Sequence, residues 1–434
     1  MSNDQVCVIG AGPAGLTAVQ VLRKRDLRVR CFEKGPAIGG QWRFENESGT
    51  STTYSSLELM SSRARTGYKR FRFPAAASRY PRLHEVREYL EDFARTYRLF
   101  DDIIFDCEVT RVEMADDGWK VTSVRGDEGC YRAVIVANGH HSVPHWPEVP
   151  TKYEGEVSHS AAYREPAPFR GKRVLVIGFG NSGADIAAEL STVASTTTLA
   201  TRSTGHLLPK TIAGAPLDWF DTSTVTLVPF RLRQTVLATL LRILRRDNRA
   251  YGIPQPQHGL LRRIPVTVPQ LADCVRRGAL RLRPPISDAD GLAVKFADGS
   301  VQEIDHILCA TGFHVSHPFL ACCQIDMCGP PLYRRIMHPD LQDLFFLGLI
   351  DPNGGILPVL ETQCEWVADV LGGRIDTPAH SAMLRAVARE ARTQRRRFQA
   401  PHGTASWLLC DRYPYMRRLA LDRLWARVVP ASRN

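Results

Sequence analysis

The sequence predicts an α/β protein made of two Rossmann-like, three-layer dinucleotide-binding units in tandem. Two stretches carry that prediction: Val6-Cys-Val-Ile-Gly10-Ala-Gly12-Pro-Ala-Gly15 and Val174-Leu-Val-Ile-Gly178-Phe-Gly180-Asn-Ser-Gly183. Each is a run of strand-forming apolar residues ending in Gly-x-Gly-x-x-Gly. Such a turn lets backbone N–H groups approach a pyrophosphate, while the following helix N-terminus supplies positive potential. Gly10, Gly12, Pro13, Ala14 and Gly15 are therefore expected contacts of one dinucleotide, and Gly178, Gly180, Asn181, Ser182 and Gly183 of a second. Two such sites in one chain imply electrons passing between two dinucleotides.

The rest of the composition agrees with a two-domain globular enzyme. The chain has 434 residues, 44% hydrophobic and 23% charged, which is long enough and apolar enough for two cores. Its eleven cysteines include no Cys-x-x-Cys pair, which favours reduced thiols and argues against flavin disulfide reduction. No run of about 18 apolar residues is present, and a strand starting at Val6 leaves no room for a leader, so a cytoplasmic protein is expected. The net charge of +11 comes mainly from arginines that alternate with apolar residues at helical spacing, at Arg231 to Arg246 and Arg392 to Arg397. That spacing describes a solvated helix face, and with no reading module beside it, no nucleic-acid partner is expected.

In chain order, a strand from Val6 to Ile9 leads to a helix from Pro13 to about Lys24 and a second strand ending at Glu33. Glu33 falls 18 positions after Gly15, near the spacing at which a carboxylate binds a ribose hydroxyl pair. Next comes Lys34-Gly-Pro-Ala-Ile-Gly39-Gly40-Gln41-Trp42, where paired glycines permit close backbone approach and a tryptophan offers a flat apolar surface. The combination Glu33-Lys34, a short spacer and Gly-Gly-x-Trp resembles the FAD site of the flavin-containing monooxygenases, the class B flavoprotein monooxygenases, in a bacterial-type form. The resemblance implies that the first glycine turn holds FAD and the second NADPH. It also implies that Lys34, Gly40, Gln41 and Trp42 touch the flavin nucleotide.

The same resemblance assigns roles further along. Tyr54 to Arg63 matches a family stretch that carries an asparagine beside the flavin C4a-peroxide; the matching residue here is Met60, a weak acceptor that cannot donate. Stabilisation is then expected from Ser61 or Ser62. Apolar spacing from His84 to about Phe100 predicts a scaffold helix. Strands are expected between Ile103 and Val124, with Val109 a cofactor contact, and a buried strand from Tyr131 ends in Asn138-Gly139-His140-His141, a family ending that lies against FAD. Neighbouring histidines point apart and no metal is expected. Tyr153-x-Gly155-x-x-x-His159-x-x-x-Tyr163 matches the family fingerprint, and its terminal tyrosine is similar to the heteroatom-oxidising branch rather than the Baeyer–Villiger one. His159 and Tyr163 are the expected coupling residues between the two domains.

After Gly183 a helix runs to about Ser191 and a strand ends at Arg202, where a guanidinium suits an adenosine 2′-phosphate; NADPH is expected over NADH, with Lys210 reinforcing the choice. The stretch 205–284 is read as an insertion, either a lid or a packing element, with an amphipathic helix at Val236 to Leu244. Ala310-Thr311-Gly312-Phe313 resembles the family signature that returns the chain to the FAD domain, and Pro352 to Gln363 its last FAD-contacting loop and helix. The expected organisation is thus a FAD domain at 1–165, an inserted NADP domain at 166–308, and a second FAD segment with a basic helical tail at 309–434. The expected reaction moves one atom of O2 to a nitrogen or sulfur of a small molecule. An NADPH oxidase releasing hydrogen peroxide, Baeyer–Villiger oxygenation of a ketone, and a redox-responsive protein that binds partners through its tail remain as alternatives. Dimers are common in the family.

Overall fold

The computed structural model describes residues 4–44, 49, 51–325, 329–398 and 406–428. Its centre is a pair of five-stranded, all-parallel sheets. The first runs Leu344–Phe346, Ala133–Val136, Val6–Ile9, Val29–Phe32 and Ile103–Ile104, and the second Leu280–Arg283, Thr196–Ala200, Arg173–Ile177, His306–Cys309 and Glu156–His159.

Strand periodicity explains the layering. In the first sheet Val6 and Val8 join the cluster formed with the helices Pro13–Arg23 and Leu357–Leu371, while Cys7 and Ile9 join the opposite cluster with Trp119 and Val121. In the second, Val174 and Val176 pack with the helix Asn181–Leu190, and Leu175 packs with Val294 and Phe296. Both faces are covered, as a parallel sheet requires. Fully burying each such side chain contributes about 1.5–3 kcal/mol. The covering element on one face is the same in both units: a three-stranded antiparallel meander, Val109–Ala115 to Gly126–Tyr131 in the first and Ile286–Asp290 to Val301–Glu303 in the second. Sequence periodicity did not reveal the second meander, whose strands are short and partly exposed.

One domain boundary needs correction. The linker was assigned to the first unit up to 165, yet Glu156–His159 is the edge strand of the second sheet, paired in parallel with His306–Cys309. The chain crosses between units at Val143–Pro144 and returns at Phe313–His314, and these two crossings pair with each other as an antiparallel ribbon. The His145 N–H donates to the Gly312 carbonyl at 2.9 Å and the Thr311 hydroxyl donates to the His145 carbonyl, which ties the ribbon shut.

The insertion helix spans Phe230–Ile243, starting earlier than its apolar spacing implied because Pro229 stands at its N-cap. The tail folds back as the helices His380–Arg397 and Arg412–Val428. Much of its charge is used internally: Arg397 pairs with Asp411 and lies 3.6 Å over the Phe230 ring, and Arg423 bridges Asp369 and Glu365. Among the described residues no helix is long and apolar enough to cross a membrane.

Candidate active site

The two glycine turns have the same local physics. Gly178 sits at φ +119°, and a Cβ there would lie 2.4 Å from the Ala310 carbonyl oxygen; at Gly183 it would lie 2.1 Å from the Gly178 oxygen. The first and third glycines are therefore set by close packing of backbone on backbone. Gly180 differs, since a Cβ would meet nothing within 4 Å, so its side faces open space. The N-terminal turn repeats this at Gly10 and Gly15, with Cβ approaches of 2.8 and 1.8 Å. Its middle glycine, Gly12, lies against the backbone of Gly40.

The helices that follow, Pro13–Arg23 and Asn181–Leu190, have no side-chain cap and no acid in the first turn. Their first N–H groups and positive dipole ends are left for a ligand. Both ends open into one cavity of about 2140 Å³. That exceeds the roughly 300–1,000 Å³ of a single small-ligand pocket. Gly10, Gly12, Pro13, Ala14, Glu33, Lys34, Gly40, Gln41, Trp42, Ser61 and Val109 line it from one side. Gly178, Gly180, Asn181, Ser182, Gly183, Arg202, Lys210, Thr311 and Gly312 line it from the other. Gly15, Ser62, His159, Tyr163 and Gln363 are not in its wall.

Individual side chains refine these placements. The Glu33 carboxylate is buried and accepts the Ala11 N–H at 2.6 Å and the Gly35 N–H at 2.9 Å. Burial pushes its pKa up while the two N–H groups hold it back. Gln41 accepts from the Thr52 hydroxyl at 2.6 Å and donates to the His141 carbonyl at 3.3 Å, bridging two walls. Arg202 is exposed to the cavity and makes no ion pair among the described residues. Beside the same turn, Arg263 donates to the Ser203 hydroxyl at 3.1 Å; sequence reasoning missed it because it lies inside the insertion. Lys210, expected to reinforce Arg202, is instead ion-paired to Glu58 and sits 5.0 Å over the Tyr80 ring, so its charge is already neutralised by the other unit. Asn181 lines the cavity but holds the insertion: its amide donates to the Pro265 carbonyl at 3.2 Å and its oxygen accepts the Thr267 N–H at 2.9 Å. Gln363 is fully buried and acts one layer back, accepting the N–H of the wall residue Gly348 at 3.1 Å and donating to the Tyr415 hydroxyl at 2.8 Å.

Met60 faces the cavity and packs with Leu57 against the second core. The two serines expected to replace its missing donor are differently placed. Ser61 lines the cavity but shares a 2.5 Å hydrogen bond with the Thr66 hydroxyl. Ser62 is buried outside the wall, its N–H donating to Asp218 at 2.7 Å while its own hydroxyl finds no partner. His140 and His141 do line the cavity, and desolvation pulls their pKa values down to about 3 and about 4. Both are neutral at pH 7.

The linker works by packing. At Gly155 a Cβ would fall 2.8 Å from the Asp305 carbonyl oxygen and onto the Tyr153 ring, so only glycine fits. His159 is buried; its Nδ1 accepts the Ala161 N–H at 3.1 Å, capping the short turn Ser160–Ala162, and its ring lies between Trp146 and Phe313. The Tyr163 hydroxyl donates to Glu189 at 2.6 Å, and its ring meets Tyr54, whose hydroxyl donates to Asp185 at 2.5 Å. Arg164, not anticipated, donates to the carbonyls of Ser51 and Ala161 at 2.9 and 2.8 Å. Together these residues fasten the segment 51–54 of the first unit to the Asn181–Leu190 helix of the second. No group of three or more histidines, cysteines and carboxylates suited to a metal occurs among the described residues.

Comparison with known proteins matches this architecture. The model of the flavin-binding monooxygenase-like family covers residues 3–421. Rat flavin-containing monooxygenase 3 is 30% identical over 411 residues, covering 88% of this chain and 76% of the relative. Human flavin-containing monooxygenase 2 is 32% identical over 407 residues, covering 88% and 75%. Among solved structures, a flavin-containing monooxygenase from Stenotrophomonas maltophilia superimposes with a TM-score of 0.65 at 25% identity, covering 86% of this chain and 99% of that one.

Proposed function

Because the chain belongs to the flavin-binding monooxygenase-like family, and is a flavoprotein monooxygenase that uses FAD and NADPH, we propose that it transfers one atom of dioxygen to a nitrogen or sulfur of a small molecule. The observation that carries this reading is the pair of uncapped helix N-termini that open into one cavity. The groups they suit are two pyrophosphates, and the space between them is where a flavin ring and a nicotinamide would meet. The flavin supplies the oxygen chemistry when bound; the protein binds, orients and excludes water.

Each role falls to named side chains. The N-termini at Pro13 and Asn181 hold the pyrophosphates, Glu33 keeps acceptor capacity toward a ribose, and the unpaired Arg202 receives the 2′-phosphate that separates NADPH from NADH. The Tyr54 hydrogen bond to Asp185, with the Tyr163 ring packed against the Tyr54 ring, keeps the two units in register. Val225, Val228, Leu232, Val236, Leu237 and Leu240 of the insertion add apolar side chains to the cavity wall. A run with isotopically labelled dioxygen tests the transfer. One labelled oxygen should appear in an N-oxide or S-oxide product for each NADPH consumed, and label found only in hydrogen peroxide would overturn the reading.

That second outcome has an observation behind it. Met60 offers no donor to a bound peroxide, Ser61 is engaged by Thr66, and Ser62 lies outside the wall. Uncoupled NADPH oxidation is therefore the competing reaction, and the ratio of peroxide to product measures its share.

A further inference from the structure

Most carboxylates of the cavity wall already have partners. Glu33 accepts two backbone N–H groups, Glu108 pairs with Lys34, Asp218 accepts the Ser62 N–H, and Asp221 meets Arg412 at 3.3 Å. Two have none among the described residues: Glu148, which is exposed, and Asp351, which is half-buried. Asp351 stands in the short strand Asp351–Pro352, held in register against Leu409–Cys410, where the chain turns toward the helix Leu357–Leu371. Its carboxyl lines the cavity and makes no hydrogen bond or ion pair with any described residue. The same cavity is walled by Val225, Val228, Leu232, Val236 and Leu240 of the insertion, whose side chains open into it. An acid without a partner in a cavity that also has an apolar wall is set for a ligand that brings both a cationic head and a hydrocarbon body.

Building on the oxygen-transfer reading, we infer that Asp351 receives the ammonium head of a hydrophobic amine and takes its proton, which makes amines rather than thioethers the substrates of this pocket. An alkylamine resembles a lysine side chain, with a pKa near 10, so it enters protonated and its lone pair is blocked. In the step assigned here the N–H bond breaks and an O–H bond forms on Asp351. The electron pair stays on nitrogen as the nucleophile, and the carboxyl later returns its proton to water. Desolvation helps from both sides, since it disfavours the ammonium and has already pushed Asp351 up to about 6. A thioether carries no such proton and gains nothing from the carboxylate.

The test uses the FAD-loaded full chain and the Asp351→Asn and Asp351→Glu variants. Three quantities are measured: flavin bleaching by NADPH without oxygen, kcat/KM for an N,N-dimethylalkylamine and for the alkyl methyl sulfide of equal length, and the Kd of hexyltrimethylammonium, which has no lone pair to oxidise. Asp351→Asn should lower kcat/KM for the amine by about 100-fold or more, the usual scale of a lost general base. It should weaken the quaternary ammonium about 10-fold and leave both the sulfide and the bleaching within about threefold; Asp351→Glu should restore much of the amine activity. Equal losses for amine and sulfide, slowed bleaching or loss of FAD would place the carboxyl in service of the cofactor and overturn the inference. So would an unchanged amine rate. A wild-type protein that bleaches with NADPH but oxygenates neither compound would instead refute the oxygen-transfer reading on which the inference rests.

Discussion

Two alanine substitutions in one turn, Gly180→Ala and Gly183→Ala, should fail in opposite ways. At position 183 the new Cβ would lie 2.1 Å from the Gly178 carbonyl oxygen, 3.1 Å from its carbon and 3.3 Å from the Ala310 Cβ. Two of these neighbours are backbone, so no rotamer change relieves the clash, and the Asn181–Leu190 helix must move off its sheet by about 1 Å to restore contact distance. Overpacking of this kind costs about 1–3 kcal/mol or more, and because the unfolding entropy grows with chain length, at about 1 °C per kcal/mol for a chain of this size Tm should fall by about 1–3 °C or more. At position 180 the new Cβ meets nothing within 4 Å and φ is −85°, which alanine adopts readily. Stability should stay within about 1 kcal/mol of the parent, but the methyl group would enter the open space proposed for the pyrophosphate. Thermal denaturation of the FAD-loaded proteins, paired with the NADPH dependence of anaerobic flavin bleaching, separates the two effects. Gly180→Ala should keep its Tm and raise the NADPH requirement at least about 10-fold. If it melts as early as Gly183→Ala, or binds NADPH as well as the parent, the assignment of the second cradle is wrong.

Other expectations follow from the same geometry. Arg202→Ala should raise KM for NADPH about 10-fold or more while leaving NADH nearly unchanged, because a charge-assisted contact to the 2′-phosphate is lost; equal effects on both nucleotides would remove Arg202 from that role. Tyr163→Phe deletes the 2.6 Å hydrogen bond to Glu189 and should cost about 1–3 kcal/mol in urea denaturation, with slower bleaching even at saturating NADPH if the linker aligns the rings. For His317, which is buried, and His140, half-buried on the cavity wall, the sign is fixed by desolvation: they are held down to about 4 and about 3, below the ordinary 6.5, so the unfolded chain binds more protons. Their stabilising contribution is present above pH 6.5 and is lost as pH falls toward 4. His317→Gln should flatten that part of the stability curve, measured by denaturant midpoints between pH 4 and 7.

What could be read in the sequence was local. The strand Val6–Ile9, the helix opening at Pro13 and the turn at Gly178 are each decided by residues a few positions apart, and the structure has them as expected. Residues whose role depends on a distant partner were harder. Lys210 looks like a phosphate ligand until Glu58, from the other unit, occupies it. His159 stands out only as part of a fingerprint, and that its ring nitrogen caps the turn two residues on is visible only in the fold. Glu156–His159 reads as a linker because nothing nearby shows that its partner strand begins at His306, about 150 positions later. Arg263 and Asp351 gain their meaning only from the cavity they face, which forms when the insertion and the tail fold over the two sheets.

The most direct test is a single anaerobic mixing experiment on the purified chain supplied with FAD, with the flavin absorbance followed after NADPH is added. The account predicts a yellow protein whose flavin loses its oxidised spectrum in a phase that saturates with NADPH, because both nucleotides occupy one cavity in one polypeptide. A colourless protein that takes up no FAD, or a bound flavin that stays oxidised at every NADPH concentration, would contradict it.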